Sequence, residues 1–207
     1  MKLLHQWQYA SNGSRASLMI VLHGRGDSPE GFKWFPSELG IPDLNYLFVQ
    51  APDEYYGGYS WYDLPPDQLP GILRSRKLLE DLFTDLKVQG FKPAQCFLFG
   101  FSQGCLMTLE FGSRYPHPLK GYIGISGYCY EVDQLMEEAV PEIIHQGDWL
   151  ITHGTLDDVL PIKTTRRQME DLIVRGFKID YREYKKSHTI DPEKELADIR
   201  EWILARL

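Results

Sequence analysis

Ser102, Asp157 and His188 follow one another along the chain, and a hydroxyl, a carboxylate and an imidazole are the groups that acyl transfer through a serine needs. A serine hydroxyl is too weak an acid to attack a carbonyl carbon at neutral pH. An imidazole must take its proton, and a carboxylate must orient that imidazole and stabilise the cation it becomes. Ser102 lies in Gly100-Phe101-Ser102-Gln103-Gly104, between the apolar runs Cys96 to Phe99 and Cys105 to Phe111. The first run has the length of a buried strand and the second opens a helix, so Ser102 falls on the turn of a nucleophile elbow. Such a turn brings the backbones flanking the serine nearly into contact, which glycine at both places permits.

In the fold that carries such an elbow the acid and the histidine follow the nucleophile along the chain, each on a loop after a strand. The run Trp149 to Thr152 opens into His153-Gly154-Thr155-Leu156-Asp157-Asp158-Val159-Leu160-Pro161, where Asp157 suits the acid and Asp158 is its rival. His188 follows the next strand, Phe177 to Tyr184, and is expected to accept the Ser102 proton and return it to the leaving group. His153 leaves its strand ahead of the acid and is expected to support the loop. His23 precedes a glycine turn and reads as a hydrogen-bonded strut, while His5, His117 and His145 have no evident partners. No two histidines have helical metal spacing, so no metal is expected. No cofactor is expected either.

The developing oxyanion also needs donors. The apolar run Leu18 to Leu22 empties into His23-Gly24-Arg25-Gly26-Asp27-Ser28, a loop whose backbone N–H groups suit an anion. The N–H of Arg25 and that of Gln103, the residue after the nucleophile, are the expected pair. Gly24-Arg25-Gly26 does not begin a convincing dinucleotide loop, since the third glycine and the acid after the next strand are not well placed, and no phosphate-loop lysine follows. Arg25-Gly26-Asp27 spells a cell-adhesion tripeptide, a match short enough to be coincidence.

The elements that must position these groups alternate. Strands are expected at Trp7 to Ala10, Leu18 to Leu22, Tyr46 to Val49, Cys96 to Phe99, Gly121 to Ser126, Trp149 to Thr152 and Phe177 to Tyr184. Helices are expected over Phe32 to Leu39, Leu69 to Val88, from Cys105 on, Ile162 to Arg175 and Pro192 to Leu207, with one or two helical turns between Glu131 and Gln146. The alternation predicts a parallel sheet with helices on both faces. Asp53 to Pro70 has no period, and its Tyr55, Tyr56, Tyr59, Trp61 and Tyr62 suit either an acyl-pocket wall or an anchor for the loop. Trp61, Tyr62 and Tyr128 are the candidate substrate-binding side chains, Tyr128 because Ser126-Gly127 ends a strand on the elbow's edge of the sheet.

At 207 residues the chain is expected to be one domain, and its net charge of −7 argues against nucleic acid as a partner. Lys185-Lys186 and Arg166-Arg167 read as solvated surface. Cys96, Cys105 and Cys129 all have apolar neighbours and leave an odd one over, which suits reduced thiols in the cytoplasm. The longest uncharged run, Pro93 to Leu109, is too short and broken to span a bilayer. Oligomeric state is not legible.

The segments Leu22-His23-Gly24-Arg25-Gly26-Asp27, Ser60-Trp61-Tyr62-Asp63, Gly100-Phe101-Ser102-Gln103-Gly104, His153-Gly154 with Asp157 and Pro161, and His188 together resemble the phospholipase/carboxylesterase family, which includes the acyl-protein thioesterases. The resemblance covers nearly the whole chain. It implies an α/β-hydrolase fold over residues 1–207 without a cap domain, and the acid at Asp157. The activity it implies is that of a serine carboxylesterase on short- to medium-chain esters. The alternative is an acyl-protein thioesterase or lysophospholipase acting on long acyl chains, and a third reading is a non-catalytic scaffold. Cys105 and Ser187 stand where the family commonly has glycine, and the stretch after Trp61 is shorter than in the acyl-protein thioesterases.

Overall fold

The computed structural model describes residues 2–207. Its strands are β1 (His5–Gln8), β2 (Ser17–Leu22), β3 (Leu44–Val49), β4 (Asp53–Tyr55), β5 (Gly58–Ser60), β6 (Cys96–Phe101), β7 (Gly121–Ile125), β8 (Trp149–Gly154) and β9 (Ile179–Tyr184). Its α-helices are α1 (Phe35–Leu39), α2 (Gln68–Val88), α3 (Gln103–Gly112), α4 (Val132–Glu138), α5 (Pro141–Gln146), α6 (Ile162–Val174) and α7 (Lys194–Leu204). Seven strands form one sheet in the order β1-β3-β2-β6-β7-β8-β9. Only β1 runs antiparallel to its neighbour; the other pairs are parallel.

The strands are apolar on both sides because both faces are covered. Along β2, Leu18, Ile20 and Leu22 join one core with residues of α2 to α6, whereas Met19 and Val21 join a second with Phe35 and Leu39 of α1 and Leu196, Ile199, Trp202 and Ile203 of α7. The period of two thus feeds two cores from each central strand. In a parallel sheet every strand ends on the same edge, so the loops after β2, β6, β8 and β9 gather there. These loops carry Arg25, Ser102, Asp157 and His188.

Several features differ from the sequence expectation, among them the helix expected from Phe32, which begins at Phe35. β1 begins and ends two residues early, because the Asn45 Oδ1 accepts the Ala10 N–H at 3.1 Å and takes that residue out of the ladder. The stretch after Val49 holds a hairpin, β4 paired antiparallel with β5. Its two turn residues, Tyr56 and Gly57, have φ of 44° and 86°. Positive φ at both places is the hairpin geometry usually marked by Asn-Gly or Asp-Gly, and a tyrosine in the first position hides the signal. Lys186 is buried, contrary to its reading as surface, whereas Lys185 is exposed.

Candidate active site

Ser102 sits between β6 and α3 with φ 54° and ψ −114°, a backbone conformation that costs about 1–3 kcal/mol for a residue with a side chain. The surrounding ladder holds it there: its N–H donates to the Ile125 carbonyl at 2.9 Å, and its carbonyl accepts from Cys105 and Leu106 at 3.0 and 3.2 Å. A Cβ on Gly100 would lie 2.0 Å from the Gly104 carbonyl oxygen, and one on Gly104 would lie 2.1 Å from that of Leu22. Both elbow glycines are therefore demanded by contact. Cys105 takes its place inside α3 because its side chain packs where β7 and the following turn are bare. A Cβ on Gly124 would come within 2.6 Å of its Sγ, and one on Gly127 within 2.4 Å of its Cβ.

His188 Nε2 lies 2.9 Å from Ser102 Oγ, and His188 Nδ1 lies 2.7 Å from Asp157 Oδ2. Asp157 is buried, and its other oxygen accepts the N–H groups of Val159 and Leu160 at 3.0 and 2.8 Å. These bonds leave Oδ2 free to hold the imidazole. Asp158 points to solvent and makes no such contact. One face of the His188 ring rests against Phe101, with centroids 5.1 Å apart. His153 donates from Nε2 to the Leu160 carbonyl at 2.8 Å, bracing the acid loop, and burial holds its pKa below the ordinary histidine value. His23 is a strut: Nδ1–H donates to the Gly24 carbonyl at 2.7 Å and Nε2 accepts the Ala51 N–H at 3.1 Å, and burial lowers its pKa also.

The N–H groups of Arg25 and Gln103 donate to no protein acceptor among the described residues. The Arg25 side chain is turned away, its guanidinium 4.9 Å from the Tyr55 ring centroid. The hairpin fixes its loop: Gly26 N–H donates to the Tyr59 carbonyl at 2.8 Å and Tyr59 N–H to the Asp27 carbonyl at 2.9 Å. The Gln103 side chain completes the clamp, with Oε1 accepting the Trp61 N–H at 2.9 Å and Nε2 donating to the Tyr62 carbonyl at 2.8 Å. Trp61 Nε1–H donates to the His23 carbonyl at 2.9 Å.

Trp61 and Tyr62 are 0% and 1% exposed, which corrects the expectation that they line the substrate pocket. They are the loop's anchors, and a side chain with no free surface cannot meet a ligand. Tyr56, at 95% exposure, belongs to no wall either. Tyr128 is half-buried, with its hydroxyl 2.6 Å from Gln68 Nε2. The cavity that reaches His188 is a crevice of about 220 Å³.

Sequence reasoning missed what holds the His188 loop. Lys186 Nζ donates to Glu195 Oε1 and to the Thr189 carbonyl, both at 2.7 Å. Glu195 on α7 also accepts the Thr152 hydroxyl at 2.5 Å and the Asp191 N–H at 2.8 Å. The loop is thereby stapled to β8 and α7 on both sides of His188. Ser187 is exposed, so its side chain projects into solvent where a glycine would leave space. A Cβ on Gly154 would lie 2.3 Å from the Lys186 carbonyl oxygen, which shows how tightly this loop lies on β8.

A mostly parallel sheet in this order, with a strained serine on the turn from a central strand to its helix, defines the α/β-hydrolase fold and, with the relatives below, a serine hydrolase. A sequence profile for phospholipase/carboxylesterase matches residues 9–206, and the chain belongs to that family. It is similar to acyl-protein thioesterase 1 of Schizosaccharomyces pombe, with 30% identity over 162 residues, covering 72% of this chain and 71% of that one. Among solved structures it is similar to esterase PE8, with a TM-score of 0.90 and 30% identity over the whole of both chains. The Bacillus cereus carboxylesterase, at 14% identity, shares the fold with a TM-score of 0.83 over 99% of this chain and 95% of that one.

Proposed function

We propose that the chain is a serine carboxylesterase that cleaves short- to medium-chain carboxylic esters through an acyl-enzyme on Ser102. The continuous line of hydrogen bonds from Asp157 through His188 to Ser102 is the observation that carries this reading. His188 Nε2 takes the Oγ proton as Oγ bonds to the carbonyl carbon, and Asp157 stabilises the resulting imidazolium. The oxyanion is met by the N–H groups of Arg25 and Gln103, each worth about 3–4 kcal/mol in the transition state. His188 then protonates the departing alcohol, and a water activated in the same way releases the acid.

The esterase reading is supported by the likeness to esterase PE8, which covers the whole of both chains. A second reading, an acyl-protein thioesterase, is favoured by the name of the S. pombe relative. Residues 1–207 are read as one catalytic domain, and the three buried free cysteines suit a cytoplasmic setting. No helix among the described residues is long and apolar enough to cross a membrane.

The test is hydrolysis of p-nitrophenyl esters from acetate to palmitate, with Ser102→Ala as control. A serine-dependent optimum at short chains supports the proposal. An optimum at palmitate moves the thioesterase reading ahead, and turnover persisting in a folded Ser102→Ala protein refutes both.

A further inference from the structure

We propose that the crevice beside His188 is the leaving-group subsite and that it selects esters of quaternary-ammonium alcohols, the cation seated between the Asp27 carboxylate and the rings of Trp34 and Phe101. The inference rests on the assignment of His188 as the acid of the acylation step. In that step the bond from Ser102 Oγ to the acyl carbon forms and the bond from that carbon to the alcohol oxygen breaks. The proton carried by His188 Nε2 goes to that oxygen. The alcohol must therefore leave on the side of His188, within hydrogen-bond reach of Nε2. The crevice starts there, at His188 and Phe101, and runs to Phe32, Trp34 and Ile190.

Its walls are unusual for a site meant for a small neutral alcohol. Phe32 stands 6.3 Å from both Trp34 and Phe101, centroid to centroid, so the three rings form a continuous surface. Trp34 is 40% exposed although it is the largest side chain of its segment. Asp27 is the acid in the crevice lining. Its Oδ1 accepts the Ser28 N–H at 2.7 Å and lies so close over Gly31 that a Cβ there would be 2.0 Å away. Its Oδ2 has no protein donor, and no lysine or arginine pairs with it among the described residues. The cations nearest in sequence are engaged elsewhere: Arg25 stacks on Tyr55 and Lys33 pairs with Glu30. A carboxylate without a counter-ion beside exposed aromatic faces matches a cation whose charge faces the carboxylate and whose methyl groups pack on the rings.

Acetylcholine and 3,3-dimethylbutyl acetate share the acyl group and the shape of the alcohol and differ in charge. The wild-type protein at low ionic strength is expected to hydrolyse the choline ester with a kcat/KM at least fivefold higher. That is the scale of one partly solvated charge pair. In Asp27→Asn, which keeps an oxygen for the Ser28 N–H, the ratio between the two esters falls towards one. Tetramethylammonium should inhibit p-nitrophenyl acetate hydrolysis competitively, and more weakly in Asp27→Asn. A wild-type ratio of one or less overturns the inference. So does a ratio that survives in Asp27→Asn, because the preference would then come from the overall acidic field of the chain. Hydrolysis of p-nitrophenyl acetate without a cation preference defeats this inference alone. Absence of serine-dependent hydrolysis of every ester defeats the esterase reading with it.

Discussion

Replacing Glu195 by glutamine strips the counter-charge from a buried lysine without removing much volume. The Lys186 and Glu195 side chains are 2% and 0% exposed, so neither can turn to water when its partner is lost. The variant keeps an oxygen for one set of donors, but the amide NH2 now faces either Lys186 or the Asp191 N–H, leaving a donor opposed to a donor. Breaking one side of a buried pair costs about 3–5 kcal/mol. With an m-value of roughly 2 kcal/mol/M, the urea midpoint at pH 7 should fall by about 1.5–2.5 M. The pH dependence has a fixed sign. Burial already holds the Lys186 pKa below the ordinary lysine value, and Glu195 is the first of the charges that raise it. Without Glu195 the folded pKa drops further below the unfolded value of about 10.4, so the folded state binds fewer protons between the two. Stability therefore rises with pH across that window, and the deficit against wild type is smaller at pH 9.5 than at pH 7. The assay is urea unfolding followed by tryptophan fluorescence at both pH values. Since Lys186 also holds the Thr189 carbonyl, kcat should drop about 10- to 100-fold as His188 loses its placement. An unchanged midpoint at pH 7, or a deficit that widens towards pH 9.5, would refute the reasoning.

Asp157→Asn should lower kcat about 10⁴-fold while Asp158→Asn stays within a few-fold of wild type, as steady-state kinetics on p-nitrophenyl acetate will show. Gly124→Ala should cost about 1–3 kcal/mol in a thermal or urea melt, because the new methyl group meets Cys105 Sγ and Ile151 Cδ1. In a Cys105→Ala background the cost should shrink, giving a coupling of about 0.5 kcal/mol or more between the two sites. Burial pushes the Cys96 and Cys105 thiols up to about 12 and raises the Cys129 thiol as well. A thiol-disulfide reagent at pH 8 should therefore titrate no cysteine in the native protein and all of them in urea; rapid native labelling would contradict the burial.

Strands that supply both cores were legible because their apolar runs are local and continuous. Helix α2 was legible because Leu78, Leu79, Leu82 and Leu86 recur at helical spacing and Gly90 follows with φ 94°. The hairpin β4–β5 was not, since strands of three residues are too short to show a period and Tyr56 is an unusual residue for its turn. Its identity is settled by partners elsewhere in the chain: the Gly26 and Tyr59 backbones bond to each other, and Gln103 holds Trp61 and Tyr62.

The same distinction separates the reacting groups from what supports them. The proposed reacting groups, Ser102, Asp157 and His188, could be picked out because the chemistry restricts them to a few residue types, the elbow's fold sets their order, and strands of recognisable composition precede them. Gln103 was read only for its N–H, yet its amide joins the nucleophile's helix to the loop that carries the hairpin, so one residue couples both proposed oxyanion donors. Lys186 was read as surface from its charge and its neighbour Lys185, and nothing within five residues marks it otherwise: Glu195 is nine positions away and Thr152 lies in another strand. A buried ion pair becomes visible only when the fold has brought its members together. The residues proposed to do the chemistry are thus written in motifs, while those that fix its geometry are written in pairs, and an elbow motif alone says nothing of whether its histidine is held.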